Sequence, residues 1–135
     1  METAVDILHL PTGLTAAASE RRSQEENRKK AMKRLRLILA VHHRAVRSEI
    51  VNPSVLWESR CRGGKISCSD SHRDFPSMLA EAMDAVTAKD YDVRKASAAL
   101  GCSSSQLIRF LARVPEALEL INRQRADRGM RKLHG

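Results

Sequence analysis

Val5-Asp6-Ile7-Leu8-His9-Leu10-Pro11-Thr12-Gly13-Leu14-Thr15-Ala16-Ala17-Ala18, running on through Ser19-Glu20-Arg21-Arg22-Ser23-Gln24-Glu25-Glu26-Asn27-Arg28-Lys29-Lys30-Ala31, is the stretch that decides the fold. Val5 to Leu10 alternates loosely and is rich in Val, Ile and Leu, and Leu14 to Ala18 is a second short run able to pair with it. Between them, Leu10-Pro11-Thr12-Gly13 puts Pro second and Gly fourth, as a type I turn prefers. A hairpin is expected. Two strands alone are marginal in water and need a helix or a further strand over one face. The segment therefore reads as part of a sheet whose first strand is missing, with a truncated N-terminus.

Outward from the hairpin, Ser23 precedes Glu26 by three residues, the spacing of a capping box. Beyond it Ala31, Leu35, Ile38 and Leu39 recur at helical spacing without Gly or Pro, which predicts a long helix from about Ser23 to Arg44. Between Glu20 and Arg47 stand ten Lys/Arg against three Glu, a net +7 out of a formal +8 for all 135 residues. Nearly the whole excess charge lies on this helix and its flanks. A sequence pI near 10.0 is the electrostatic footprint of a protein that meets a polyanion. Aromatic residues make up only 3% of the chain, too few to build stacking platforms for single-stranded bases, so contacts to phosphates are expected.

The length allows one modest core or two very small ones. No apolar stretch approaches the roughly 20 residues that span a bilayer, and Met1-Glu2 does not open a signal peptide, so a soluble cytoplasmic protein is expected. Cys61, Cys68 and Cys102 are odd in number and unevenly spaced, which reads as free thiols.

From Arg47 to Asp74 the pattern is broken by Asn52-Pro53-Ser54, Gly63-Gly64 and the Ser-rich run Ser67 to Ser71. Val55 to Arg60 reads as a short helical turn anchored by Trp57, the only Trp. After it, Pro76 opens a helix with a Leu79, Ala82, Met83 and Val86 stripe. Asp92 caps a short helix carrying Val93, Ala96 and Leu100, and Gly101 closes it. A Ser103/Gln106 capping box opens the next, with Leu107, Phe110 and Leu111 inward, and Pro115 starts a last helix before Arg123 to Gly135 trails off. The expected organisation is residues 1–47 as a first domain, 48–73 as a linker and 74–135 as a helical C-terminal unit. The fold class is α+β, a short β-hairpin packed on a long basic helix followed by a small all-helical unit.

Thr3-Ala4-Val5, the turn from His9 to Gly13, Ser23-Gln24, Asn27 and the basic helix, in this order, resemble the catalytic domain of class I peptide chain release factors over residues 3 to about 39. The resemblance implies a small sheet with a long helix. It also implies the ribosome as partner, through large-subunit rRNA and peptidyl-tRNA, with no cofactor or metal. On that scaffold Arg21, Arg22, Gln24, Asn27, Arg28, Lys29 and Lys30, continued by Lys33 and Arg34, lie where the domain meets RNA and its own loop. Guanidinium and ammonium groups hold phosphates there by charge-assisted hydrogen bonds and counterion release.

The family's Gly-Gly-Gln tripeptide, which promotes peptidyl-tRNA ester hydrolysis, falls just N-terminal to this stretch, where the chain has Met1-Glu2-Thr3. The one Gly-Gly, Gly63-Gly64, is followed by Lys65 and cannot stand in for it. Two explanations stand. Either the reading frame continues upstream of Met1 with the catalytic loop, which the abrupt start inside the motif favours, or the chain binds without catalysis. Termination and rescue of stalled ribosomes are equally compatible with the resemblance.

Two other constellations need weighing. Ala96-Ser97-x-x-Leu100-Gly101-x-Ser103-x-x-x-Leu107 resembles a helix-turn-helix over residues 92–113, with Ser97 where a small Ala is usual, and this is the alternative reading: a DNA-binding regulator. An ordinary helical hairpin is preferred, because only Arg109 and Arg113 offer cations on the second helix. Cys61, Cys68, His72 and Cys102 are spaced more widely than structural zinc ligands usually are, and His42-His43 lies on the basic helix without a nucleophile to serve.

Overall fold

The computed structural model describes residues 2–44 and 51–135, and the boundary expected at 47/48 and Arg47 itself lie outside them. The chain is α+β and divides into two compact units, Met1–His43 and Arg44–Gly135.

In the first unit β1 (Val5–Leu8) pairs antiparallel with β2 (Thr15–Ala18) in the register Val5↔Ala18 and Ile7↔Ala16. Directly opposed residues share a face, so Val5, Ile7, Ala16 and Ala18 point one way, and α1 (Gln24–His42) packs across both strands there. Ala16 and Ala18 on β2 and Ala31 and Leu35 on α1 are all buried between sheet and helix, and small alanines let the two lie close. Ile38 and Leu39, expected inward, are half-buried. Ser23 caps α1 by accepting from the Glu26 N–H at 3.3 Å.

The turn differs from expectation by one residue. His9, not Leu10, is its first residue: the His9 carbonyl accepts from Thr12 N and Gly13 N, and His9 N donates to Leu14 O. Gly13 closes the four-residue loop at φ 74°, a left-handed conformation that costs Gly little.

The second unit holds α2 (Val55–Arg60), β3 (Cys61–Arg62), β4 (Lys65–Ile66), α3 (Phe75–Ala88), α4 (Val93–Leu100), α5 (Ser104–Ala112) and α6 (Pro115–Asp127). The stretch read as a linker, residues 48–73, thus contains α2 and the β3–β4 hairpin. Trp57 is fully buried, donates its indole N–H to Leu100 O at 2.8 Å, and meets Phe110 edge to face. With Phe75, Leu79, Leu107, Leu111 and Ile121 it forms one core around which α3, α4, α5 and α6 pack in succession.

The C-terminal end does not trail off from Arg123. Helix α6 continues to Asp127, Gly129 turns the chain at φ 69°, and the tail folds back. Asn122 holds it by donating to Leu133 O and accepting from Leu133 N, and Arg125 donates to Arg131 O. A side-chain amide that mimics a strand partner leaves no periodic trace, which is why the sequence pattern does not show it.

Candidate nucleic-acid interface

Helix α1 sets the geometry. Its buried face carries Asn27, Ala31 and Leu35, and opposite it Lys29, Lys33 and Arg36 stand at spacing i, i+4, i+7, all three exposed. At 1.5 Å per residue this stripe runs about 10 Å along the helix axis. The three side chains make no salt bridge among the described residues; Lys29 acts only at a distance, helping to lower the Glu25 carboxyl. Arg21 and Arg22, exposed in the loop before the helix, likewise have no side-chain partner among the described residues, and Gln24 is exposed at the first turn.

Other cations of the same stretch are committed within the unit. Arg34 forks onto Glu20 through two bonds, at 2.9 and 2.8 Å, and also donates to Ala17 O at 2.7 Å, tying α1 to β2. Lys30 reaches Glu20 at 3.2 Å. These two partners, Arg34 first and Lys30 second, hold the Glu20 carboxyl down at about 2. Arg28 forks onto Glu25 one helical turn away, which lowers the Glu25 carboxyl and raises the guanidinium in return.

Asn27 stands apart from every other residue of the set, with no exposed surface. Its Nδ2 donates to Thr3 O at 2.7 Å and Arg21 O at 3.0 Å, while its Oδ1 accepts from Arg21 N at 3.0 Å. Thr3 Oγ1 completes the knot by donating to Arg21 O. The residue fixes the loop that presents Arg21 and Arg22 and touches no solvent. The structure therefore brings five free cations to the surface, Arg21, Arg22, Lys29, Lys33 and Arg36, and fastens three, Arg28, Lys30 and Arg34, by carboxylates. Arg36 is counted in the basic stretch but lies outside the contact set expected from the sequence, although its i+7 spacing from Lys29 puts it on the same exposed stripe.

Among the described residues no three His, Cys, Asp or Glu side chains gather in a way that would hold a metal. Nor is any helix of the described residues long and apolar enough to cross a membrane.

A two-stranded hairpin, a capped helix across it and a stripe of unpartnered cations along that helix define a small basic α+β domain. A family model described as "RF-1 domain" matches residues 1–73, more than half of the chain, and the chain belongs to that family. The match runs beyond the stretch 3–39 on which the sequence resemblance rests, taking in α2 and the β3–β4 hairpin. "Peptide chain release factor 1" of Acidiphilium cryptum (strain JF-5) is 57% identical over 44 residues, 33% of this chain and 12% of that protein. The proteins of the same name from Chlorobaculum tepidum and Chloroherpeton thalassium are each 56% identical over 36 residues, 27% of this chain and 10% of theirs. The aligned stretch is thus about an eighth or less of the length of these relatives. No solved structure matches the chain.

Proposed function

We propose that this chain is a ribosome-binding, release-factor-like module acting in translation termination or the rescue of stalled ribosomes, with α1 and the loop before it against rRNA phosphates. The observation that carries the reading is the stripe of Lys29, Lys33 and Arg36 together with Arg21 and Arg22. These cations are exposed and free of carboxylates on a scaffold of the release-factor family. A merely solvated helix face tends to pair its charges with neighbouring carboxylates, as Arg28, Lys30 and Arg34 do here. Cations left unpaired keep all their donors for phosphate oxygens, and their binding releases counterions.

Peptidyl-tRNA hydrolysis is the family's reaction, but residues 1–135 contain no Gly-Gly-Gln. The chain as it stands is expected to bind without releasing peptide. Two measurements test this. Co-sedimentation with large ribosomal subunits should fall about ten-fold or more in the Lys29→Ala/Lys33→Ala/Arg36→Ala variant, and the difference should shrink as salt rises. Undiminished retention by a folded triple variant would overturn the reading. In the second, release of a labelled formyl-methionine from initiation complexes should stay at background; measurable release by this chain would contradict the binding-only assignment.

A further inference from the structure

Beside α5 lies a cleft of about 360 Å³ walled by Lys65, Gln106, Arg109 and Arg113, with Phe110 at its floor. No carboxylate lines it, and none of its three cations has an ion pair among the described residues. The family reading assigns it nothing. We propose that this cleft is a second nucleic-acid site, one that grips the phosphodiester backbone rather than reading bases.

The way the fold assembles the cleft carries the argument. Gly63 and Gly64 both adopt positive φ, 59° and 79°, which is the two-residue turn of a tight hairpin. That turn sets Arg62 directly opposite Lys65. Like charges facing each other across a hairpin destabilise it, and among the described residues no acid forms an ion pair with either. The hairpin is then stitched to the α4–α5 turn: Ser103 N donates to Gly64 O at 3.3 Å, and Ile66 N donates to the side-chain oxygen of Gln106 at 3.1 Å. These bonds hold Lys65 in one cleft with Arg109 of α5 and Arg113, the residue that caps α5 at its C-terminal end.

Arg113 is preset as well. One of its NH1 donors is held by Cys68 O, and its guanidinium lies 5.6 Å from the Phe110 ring centre, leaving its other donors to the cleft. The dipole at the C-terminal end of α5 favours a cation such as Arg109. It does not account for Lys65 arriving from a separate hairpin. A concentration of three cations without a counter-charge is stabilised by a bound polyanion, and planar guanidinium forks suit phosphate.

The opposite flank of α5 argues against base reading. Ser104 and Ile108 there share a pocket with Met130 and Leu133 of the folded-back tail, which Asn122 fastens. The flank of α5 that faces away from the basic cleft is thus partly screened by the chain's own tail.

The test is fluorescence anisotropy of the whole chain with a short duplex DNA and, separately, a short RNA hairpin, between about 50 and 200 mM salt. The Lys65→Gln/Arg109→Gln variant removes two exposed charges and spares Arg113 and its bond to Cys68. It should lose about ten-fold in affinity at the low end of that range, and its slope of log K against log salt should be shallower by about 1.8 on duplex DNA. Loss on DNA alone identifies DNA as the source of the phosphates, loss on RNA alone identifies RNA, and loss on both marks a general backbone site. Unchanged binding to both overturns the proposal. Should the double variant misfold, amide chemical shifts of the native chain decide: those of Ile66 and Gln106 must move on titration with at least one of the two nucleic acids, and stationary resonances overturn the site. The α1 triple variant leaves this cleft intact, so failure of the ribosomal reading and failure of this one are distinguishable.

Discussion

Replacing Asn27 with Ala removes a fully buried amide that satisfies the Arg21 N–H and the carbonyls of Thr3 and Arg21, groups that are themselves partly sheltered from water. Arg21 O keeps Thr3 Oγ1, so the Arg21 N–H and Thr3 O lose their side-chain partner; leaving such partly buried groups unmet costs about 1 kcal/mol each, and Asn27→Ala is expected to destabilise the first unit by about 2 kcal/mol in urea unfolding. The loss should be seen as well in faster hydrogen exchange at Arg21. In the sequence Asn27 looks like one more polar residue of a basic helix, because nothing local tells that its amide faces inward; the partners lie 6 and 24 positions away. Glu20 is legible only as an acid among bases, yet Arg34 and Lys30 bring its carboxyl down to about 2. A depressed carboxyl contributes stability that is fully present above its ordinary value of 4.5 and is lost as pH falls towards about 2. An NMR titration of the Glu20 carboxyl should therefore show its midpoint near 2, and a midpoint near 4.5 would mean that the Arg34 fork does not form in solution. Burial pushes the Cys102 thiol in the opposite sense, up to about 12, with Cys61 adding to the effect. Its thiolate is scarce at neutral pH, so alkylation of Cys102 should lag far behind that of an unfolded control, read by mass spectrometry.

At the scale of elements, what the sequence shows plainly is what repeats or caps. The two strands, the Ser23 cap of α1, the Asp92 and Ser103 caps and the Gly101 stop are all present, because each rests on contacts within a few residues. The misplaced turn frame at His9 has a different cause. Pro11 and Gly13 fit a type I turn one residue later, but the pairing of His9 with Leu14 fixes the loop at four residues and hands closure to Gly13. The β3–β4 hairpin escaped because each strand is only two residues long, too short to show a period. Its Gly63-Gly64, a turn signal in the sequence that cannot stand in for the catalytic tripeptide, does work as a turn, and Gly64 O accepts from Ser103 N at the start of α5. Gly101, at φ 77°, has open space where a side chain would begin. Gly101→Ala therefore meets no clash and should cost only the backbone term, about 1 kcal/mol in thermal or urea unfolding. A much larger loss would show that the α4–α5 turn is held by packing that the open space around Gly101 does not reveal.

For the molecule as a whole, the formal +8 divides into charges that are spent and charges that are available. Arg28, Lys30, Arg34, Arg60 and Arg128 face carboxylates within the fold. Among the described residues, cations without an ion pair gather on α1 and the loop before it in the first unit and at the Lys65, Arg109 and Arg113 cleft in the second, while others, Arg94, Lys95 and Lys132 among them, are exposed elsewhere. Net charge read from sequence located the first, since ten Lys/Arg cluster within 28 residues, but could not show which of them are paired. It was blind to the second, whose members are 44 and 4 positions apart in the chain. Counterion release depends on how many phosphates are neutralised, at about 0.9 per contact on duplex nucleic acid. On a long duplex, removing Lys29, Lys33 and Arg36 should therefore make the salt slope shallower by about 2.7, removing Lys65 and Arg109 by about 1.8, and removing all five by about 4.5. Sites without shared partners add in this way. If the combined variant changes the slope no more than the triple variant alone, the second surface releases no counterions, and the charge of the second unit serves its own folding instead.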